Sequence, residues 1–556
     1  MEHFTKLNEY IRSSMVKNWE LPALTDFDGV SYSYKDVARK ISKIHILYSR
    51  SGIKPGDRIA LCGKNSSQWS VAFLGTITYG AVAVPVLNEF KADTVHHLVN
   101  HSGAKLLFTD AYIWENLNFE SMPELIGVFQ LTDFSLFDSR SDLLTDARHR
   151  LNEYFGNMYP ERFRPEDLTV FAEDDPDELA LINYTSGSTG LSKGVMLSYR
   201  NLWSNVQFTI DKLEFLLPGD GMVCMLPLAH MYGLVVELLH PFVKGCHIHF
   251  LTRIPSPHVI MAAFERVKPK LIVSVPLIIE KIIKTKVFPM LDKPLMKILL
   301  HVPLVDDHLL AKIKDKLTQT FGGQLKEMII GGAGLNKDVE SFLRKINFPF
   351  TVGYGMTECA PLISYAPWDV TRPGSCGKIV DRMEGRVADP DPETGTGVIW
   401  VKGDNVMLGY YKNPEATADA MSNDGWLSTG DIGVIDEDGF VYLRGRDKNM
   451  ILGPSGQNIY PEEIEQVLNN LPFVNESVVI SDGGQLVALV YPDYDLAQKS
   501  GMDHVALTRL MDENLAALNK EIPSYSRVSR VKLMSEEFEK TPKRSIKRYL
   551  YQLYLA

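Results

Sequence analysis

The sequence predicts an α/β protein in two unequal parts. The first is a large N-terminal body of doubly wound, mostly parallel sheets with a β-rich subdomain; the second is a small α+β C-terminal domain. Three observations carry this expectation. From about residue 58, short continuously apolar runs alternate with helical patterns of ten or more residues, as expected of parallel strands buried on both faces. After about residue 374 the punctuation changes, Gly and Asp become frequent and hairpin signals appear. At 556 residues the chain is also roughly three to four times the usual domain length.

The elements follow in order. Arg58-Ile59-Ala60-Leu61-Cys62 reads as a strand, residues 66–79 as a helix opened by Ser66-Ser67, 81–86 as a second strand, 92–101 as a second helix and 105–109 as a third strand. Apolar runs return at 179–184, 222–226, 247–251, 270–275 and 328–330, with helical stretches between. Residues 398–401 and 440–443 read as antiparallel strands, and Asp438-Gly439 between Val434-Ile435 and Phe440-Val441 marks a hairpin. The last hundred or so residues hold a helix after Pro461, strands at 477–480 and 485–491, a helix near 505–520 and a basic tail. The boundary is expected near Arg446-Asp447-Lys448, giving units of 1–446 and 447–556.

Composition narrows the function classes. With 45% hydrophobic and 23% charged residues the chain is globular, and its net charge of −11 argues against bulk nucleic-acid binding. Five scattered cysteines with no CxxC pair read as reduced thiols. No signal peptide and no transmembrane stretch are expected, so the expected location is cytoplasmic, with peripheral membrane contact left open.

The most informative segment is Tyr184-Thr185-Ser186-Gly187-Ser188-Thr189-Gly190-Leu191-Ser192-Lys193-Gly194, which follows an apolar strand. Glycines let a backbone approach an anion and aim successive N–H groups at it; hydroxyls add donors and Lys193 adds charge. The Walker A spacing is absent, because Ser192 stands five residues beyond Gly187.

This segment resembles the signature loop of the adenylate-forming superfamily, which includes acyl-CoA synthetases, luciferases and peptide-synthetase adenylation domains. Further motifs follow in that family's order. Leu226-Pro227-Leu228-Ala229-His230-Met231-Tyr232-Gly233 resembles the aromatic-histidine motif, and Gly331-Gly332-Ala333-Gly334 the adenine loop. Gly353-Tyr354-Gly355-Met356-Thr357-Glu358 resembles the adenine-stacking and magnesium motif, Ser428-Thr429-Gly430-Asp431 the ribose motif, and Leu443-Arg444-Gly445-Arg446-Asp447-Lys448 the hinge. Any one of these alone reads as an ordinary turn or a packed core residue; the joint order distinguishes them. Over the whole chain the motifs look most like long-chain fatty acyl-CoA synthetases.

The resemblance implies ATP, Mg²⁺ and coenzyme A, and an ATP-dependent ligase joining a carboxylic acid first to AMP and then to a thiol. The implied nucleotide contacts are Thr185, Ser186, Gly187, Ser188, Thr189, Gly190, Lys193, Gly331, Gly332, Ala333, Tyr354, Gly355, Met356, Thr357, Asp431 and Arg446. Glu358 is the implied metal carboxylate and His230 lies beside the substrate carboxylate. Gly453 and Gly456 lie in the segment that family members present in the thioester-forming state, and Lys448 is the implied hinge about which the C-terminal domain swings.

One position departs from the family pattern. The usual tail, Thr-Pro-x-Gly-Lys, is here Thr541-Pro542-Lys543-Arg544-Ser545, with serine at the catalytic lysine's place. Lys543 and Lys547 each stand two residues away and are the candidates for its role. The runs after His230 and at 271–279 are strongly apolar, which favours a fatty acid, medium to long in chain. An acyl-AMP or acyl-carrier-protein ligase, and a relative that binds nucleotide without catalysis, stay open as alternatives.

Overall fold

The computed structural model describes residues 3–173, 175–185, 192–252, 256–291, 293, 305–452, 457–541 and 546–552. The largest sheet has eight strands, in the order Gly409–Tyr410, Lys193–Ser198, Leu179–Thr185, Val82–Val86, Arg58–Cys62, Leu106–Thr109, Gly127–Gln130 and Leu136–Ser139. Its centre is parallel, and antiparallel pairs stand at both edges. The central strands are buried along nearly their whole length, so their sequences are continuous apolar runs without alternation.

Helix Ser67–Tyr79 explains how this sheet is covered. Ser66 caps its start by accepting from the Trp69 amide, and Gly80 ends it with φ +88°. Between those stops every residue from 67 to 78 is buried. The helix is buried on every face although it carries Ser67, Gln68, Ser70, Thr76 and Thr78, and it packs against helix Tyr34–Arg50, itself opened by a reciprocal Ser33–Asp36 cap.

The remaining strands of the body do not join one continuous sheet. Gly221–Cys224 and His247–Phe250 pair with Pro22–Asp26 and Ser31–Ser33 in a second sheet. Leu271–Ser274, Glu327–Ile330 and Phe350–Val352 form a third, entirely parallel one. The β-rich region is antiparallel throughout: Met383–Ala388, Gly397–Gly403, Leu427–Ile435 and Val441–Arg446, with Ile435 paired to Val441 across the Asp438-Gly439 turn.

Beyond the three-residue turn Asp447–Asn449, helices Pro461–Leu468 and His504–Glu521 pack on the sheet Val474–Asp482, Gln485–Pro492 and Val528–Leu533 around their own apolar cores. Helix Pro461–Leu468 packs against strand Val441–Arg446, and the helix and the residues just after it bond to the body. Glu463 pairs with Arg444 at 3.2 Å, Gln466 Nε2 donates to the Leu335 carbonyl at 3.0 Å, and the Asn470 and Asn336 side chains bond to each other. Among the described residues no helix is long and apolar enough to cross a membrane.

Candidate active site

Strand order brings the sequence motifs together. Leu179–Thr185 and Lys193–Ser198 are antiparallel neighbours, with Thr185 opposite Lys193 and the Thr185 hydroxyl donating to the Lys193 carbonyl at 3.5 Å. Residues 186–190 of that segment (Ser186, Gly187, Ser188, Thr189 and Gly190) lie outside the described residues, as do Gly453, Gly456 and Lys543.

Lys193 extends its ammonium over the ring of Tyr410, 4.8 Å from the centroid. The Tyr410 hydroxyl donates to Glu358 Oε1 at 2.9 Å, and burial together with that carboxylate raises the phenol. Glu358 itself is buried and sits in the turn Thr357–Cys359. The cation from the glycine-rich segment and the carboxylate of the implied metal motif thus meet on one tyrosine, the first over its ring and the second at its hydroxyl. Glu358 is a single carboxylate, and among the described residues no cluster of three or more His, Cys, Asp or Glu is placed to hold a metal. One oxygen donor suits a magnesium ion whose other ligands are phosphate and water.

A second group forms around Tyr354. Its hydroxyl donates to Asp431 Oδ2 at 2.6 Å, while Arg446 Nε stands 2.7 Å from Asp431 Oδ1. Both Tyr354 and Asp431 are buried, whereas the Arg446 side chain is 55% exposed. Burial pushes the Asp431 carboxyl up, against the opposing pull of Arg446, and burial beside that carboxylate pushes the Tyr354 phenol well up. Asp431 lies in strand Leu427–Ile435 directly opposite Arg446 in Val441–Arg446, so the hairpin register fixes the pair. The backbone beside Tyr354 is equally constrained. A Cβ at Gly355 would stand 2.2 Å from the Pro361 carbonyl oxygen, so only glycine fits there.

The third group encloses a cavity of about 90 Å³. One wall is the end of helix Tyr199–Lys212 and the residue after it (Phe208, Thr209, Lys212, Leu213); another is Tyr232 and Val236; the rest includes Ile329, Gly331, Gly332, Gly353, Tyr354, Gly355, Pro361, Leu362 and Tyr365. Tyr232 is held by its hydroxyl, which donates to the Ile329 carbonyl at 3.1 Å. Gly332, at φ +86°, turns the chain at the cavity edge. His230 precedes the short helix Met231–Gly233, and its amide donates to the Pro227 carbonyl at 3.0 Å. The apolar run after His230 is helical, and its middle, Leu234–Leu239, is a widened π turn. Inside it the fully buried Glu237 accepts from the amides of Met225 (3.1 Å) and Leu226 (2.8 Å), and burial lifts its carboxyl to about 8.

The other candidates are placed as follows. Ala333 continues the turn after Gly332, and the Met356 amide donates to the Pro361 carbonyl at 2.8 Å. The Thr357 carbonyl accepts from the Ala360 amide at 3.1 Å. Lys448 sits in the turn Asp447–Asn449. Lys547 is in the C-terminal unit, its ammonium 2.5 Å from Glu539 Oε1. Sequence reasoning did not single out Tyr410, Phe208, Lys212 or Tyr365. The aromatic pair Tyr410-Tyr411 after Gly409 is a usable signal for the first; the others carry none.

A model described as AMP-binding enzyme matches residues 12–411, and one described as AMP-binding enzyme C-terminal domain matches 448–554. The chain is 29% identical over 560 residues to 4-coumarate–CoA ligase 3 of Oryza sativa subsp. japonica, covering 98% of this chain and 91% of that protein. It is 28% identical over 499 residues to a long-chain-fatty-acid–CoA ligase of Escherichia coli O6:H1, covering 86% and 83%. Its fold is similar to that of ATP-bound MatB from Rhodopseudomonas palustris (TM-score 0.75, 24% identity, 99% of this chain and 100% of that one). It is also similar to the anthranilate CoA ligase AuaEII in complex with anthranoyl-AMP (TM-score 0.78, 18% identity, 100% and 98%).

Proposed function

The chain belongs to the AMP-binding enzyme family, the adenylate-forming enzymes, and from that premise we propose that it is an acid–thiol ligase that activates a fatty acid with ATP and delivers it to coenzyme A. The observation that carries the reading is the position of the cavity. Phe208, Leu213, Val236, Ile329 and Leu362 line it with apolar side chains, and Gly331, Gly332, Tyr354 and Gly355 from the implied nucleotide motifs border the same space. An apolar acid lying in it would bring its carboxylate toward the α-phosphate of a nucleotide at Tyr354 and Asp431.

In the first step a carboxylate oxygen attacks the α-phosphorus, forming the acyl–phosphate bond as pyrophosphate leaves. The chain's contribution is to position the partners and offset charge. Lys193 and the backbone amides of the segment around Gly190 would meet the phosphates, and Thr357 would donate to the α-phosphate. Asp431 would accept from the ribose hydroxyls, with Arg446 forking onto neighbouring oxygens. Glu358 would hold Mg²⁺, which when bound neutralises phosphate charge. A tail cation, Lys543 or Lys547, would bridge the acid and the phosphate. In the second step the thiol sulfur attacks the acyl carbon and AMP leaves, and this step requires the C-terminal unit, residues 447–556, to turn about Lys448 so that the stretch containing Gly453 and Gly456 lines the pantetheine path.

An aryl acid is a second reading. The aromatic faces of Phe208, Tyr232 and Tyr365 and the cavity's modest volume favour it. Pyrophosphate release across straight-chain acids of graded length and a set of aryl acids, with and without coenzyme A, tests both. The fatty-acid reading expects release that rises with chain length and a thioester product only with coenzyme A. A preference for aryl acids overturns it, as does turnover with a carrier protein but none with coenzyme A.

A further inference from the structure

The cavity has two exposed borders, and they differ in chemistry. Gly332 and Gly355 are exposed on the nucleotide side. Among the other lining residues only Lys212 is exposed, at 36% of its side chain. Lys212 is the last residue of helix Tyr199–Lys212, so the chain turns away just where the apolar wall of Phe208 and Leu213 ends. Its ammonium stands 3.1 Å from Asp381 Oδ2, with the Asp381 side chain 52% exposed, and 5.5 Å from the centre of the Phe208 ring. A lysine so placed contributes its methylene stem to the apolar lining while its charged end reaches water and a carboxylate.

We propose that the Lys212–Asp381 pair is the distal stop of the acid pocket and sets the longest acid that the enzyme holds well. This rests on the reading of the cavity as the acid site. Each methylene of an acid that fills the space between Tyr354 and the Lys212 stem leaves water and gains about fourfold in affinity. A methylene beyond the stem must displace Lys212 or emerge beside Asp381 in solvent, and gains nothing. An exposed ion pair holds its geometry only weakly, so the stop is soft. Affinity therefore levels off with length before it falls.

The test is direct binding of a graded series of straight-chain acids by calorimetry, with acid-dependent pyrophosphate release measured in parallel. The full-length enzyme is compared with Lys212→Ala, which shortens the stem, and Asp381→Asn, which leaves the stem but frees it. Lys212→Ala should move the length optimum up by two or more carbons and bind the longest acids about tenfold more tightly. Acids shorter than the wild-type optimum should change by no more than about threefold. Asp381→Asn should shift the optimum in the same direction by less. Identical length profiles in the wild type and in a folded Lys212→Ala variant would overturn the proposal. Acids that bind with a Lys212-dependent profile but release no pyrophosphate would uphold the stop and reject the ligase reading instead. Failure of every acid to bind would reject both.

Discussion

The body and the C-terminal unit hold their candidate functional groups in opposite ways. In the body, Tyr354, Asp431 and Glu358 are buried, with the Tyr354 hydroxyl bonded to Asp431 and the Tyr410 hydroxyl to Glu358. In the C-terminal unit, Lys547 is partly exposed, at 26% of its side chain, and the partner at its ammonium, Glu539, belongs to its own unit. Glu539 raises the Lys547 ammonium through that hydrogen bond. The difference teaches where accuracy and where movement are placed. On the proposed reading, groups that would shape the nucleotide pocket are held by buried hydrogen bonds, whereas a group that would arrive for one half-reaction and leave for the next is tied by a partly exposed contact that costs little to break.

Substituting the tail lysines breaks the comparison most sharply. Lys543→Ala and Lys547→Ala, taken singly, should include one variant whose acid-dependent pyrophosphate release falls by about 10²–10³-fold while ATP binding is kept. If neither variant loses activity, the tail lysine role is assigned to the wrong residues. Asp431→Ala should come next. It leaves the Tyr354 hydroxyl and the Arg446 guanidinium without their carboxylate, and should cost about 10²-fold in kcat/KM for ATP in adenylate formation and a comparable factor in thioester formation from preformed acyl-AMP. A loss confined to one half-reaction would show that the pocket is not a shared, fixed frame.

Lys448→Pro addresses the boundary between the two regions. Fixing φ in the turn Asp447–Asn449 should slow thioester formation about tenfold and leave adenylate formation within twofold. Equal losses in both steps would contradict the swing about that residue. The smallest expected effect is on stability within the body. Burial holds Glu237 at about 8 in the fold, against 4.5 as its ordinary value. Between those values the native chain keeps a proton that the unfolded chain gives up. Stability from this group is complete below pH 4.5 and declines as pH rises toward 8. Glu237→Gln should flatten that slope in denaturant titrations, and an unchanged slope would assign it elsewhere.

Local pattern made much of this molecule legible in the sequence. The strand expected at 179–184 is Leu179–Thr185, the helix expected at 66–79 is Ser67–Tyr79, and the Asp438-Gly439 hairpin forms as read. Apolar continuity and turn chemistry act over a few residues, and they show in any window that contains them. Pairing at long range does not. Nothing in 222–226 or 247–251 indicates that these strands leave the large sheet to join Pro22–Asp26, because a buried parallel strand looks alike in any sheet. The site shows the same division. Glycine- and hydroxyl-rich motifs announce themselves, and their order gave Tyr354, Glu358 and Asp431. Phe208, Lys212 and Tyr365 line the cavity through tertiary placement alone, and as single residues they resemble any helix end or strand.

The central claim is that one pocket joins an apolar acid to AMP and then releases it to a thiol. Single-turnover mixing of enzyme, radiolabelled acid and ATP, followed by a coenzyme A chase, tests it most directly. The account predicts enzyme-bound acyl-AMP formed in step with pyrophosphate, then converted to acyl-CoA with release of AMP. ATP bound without any acyl-AMP across fatty and aryl acids, or acyl-AMP that coenzyme A leaves untouched, would contradict it.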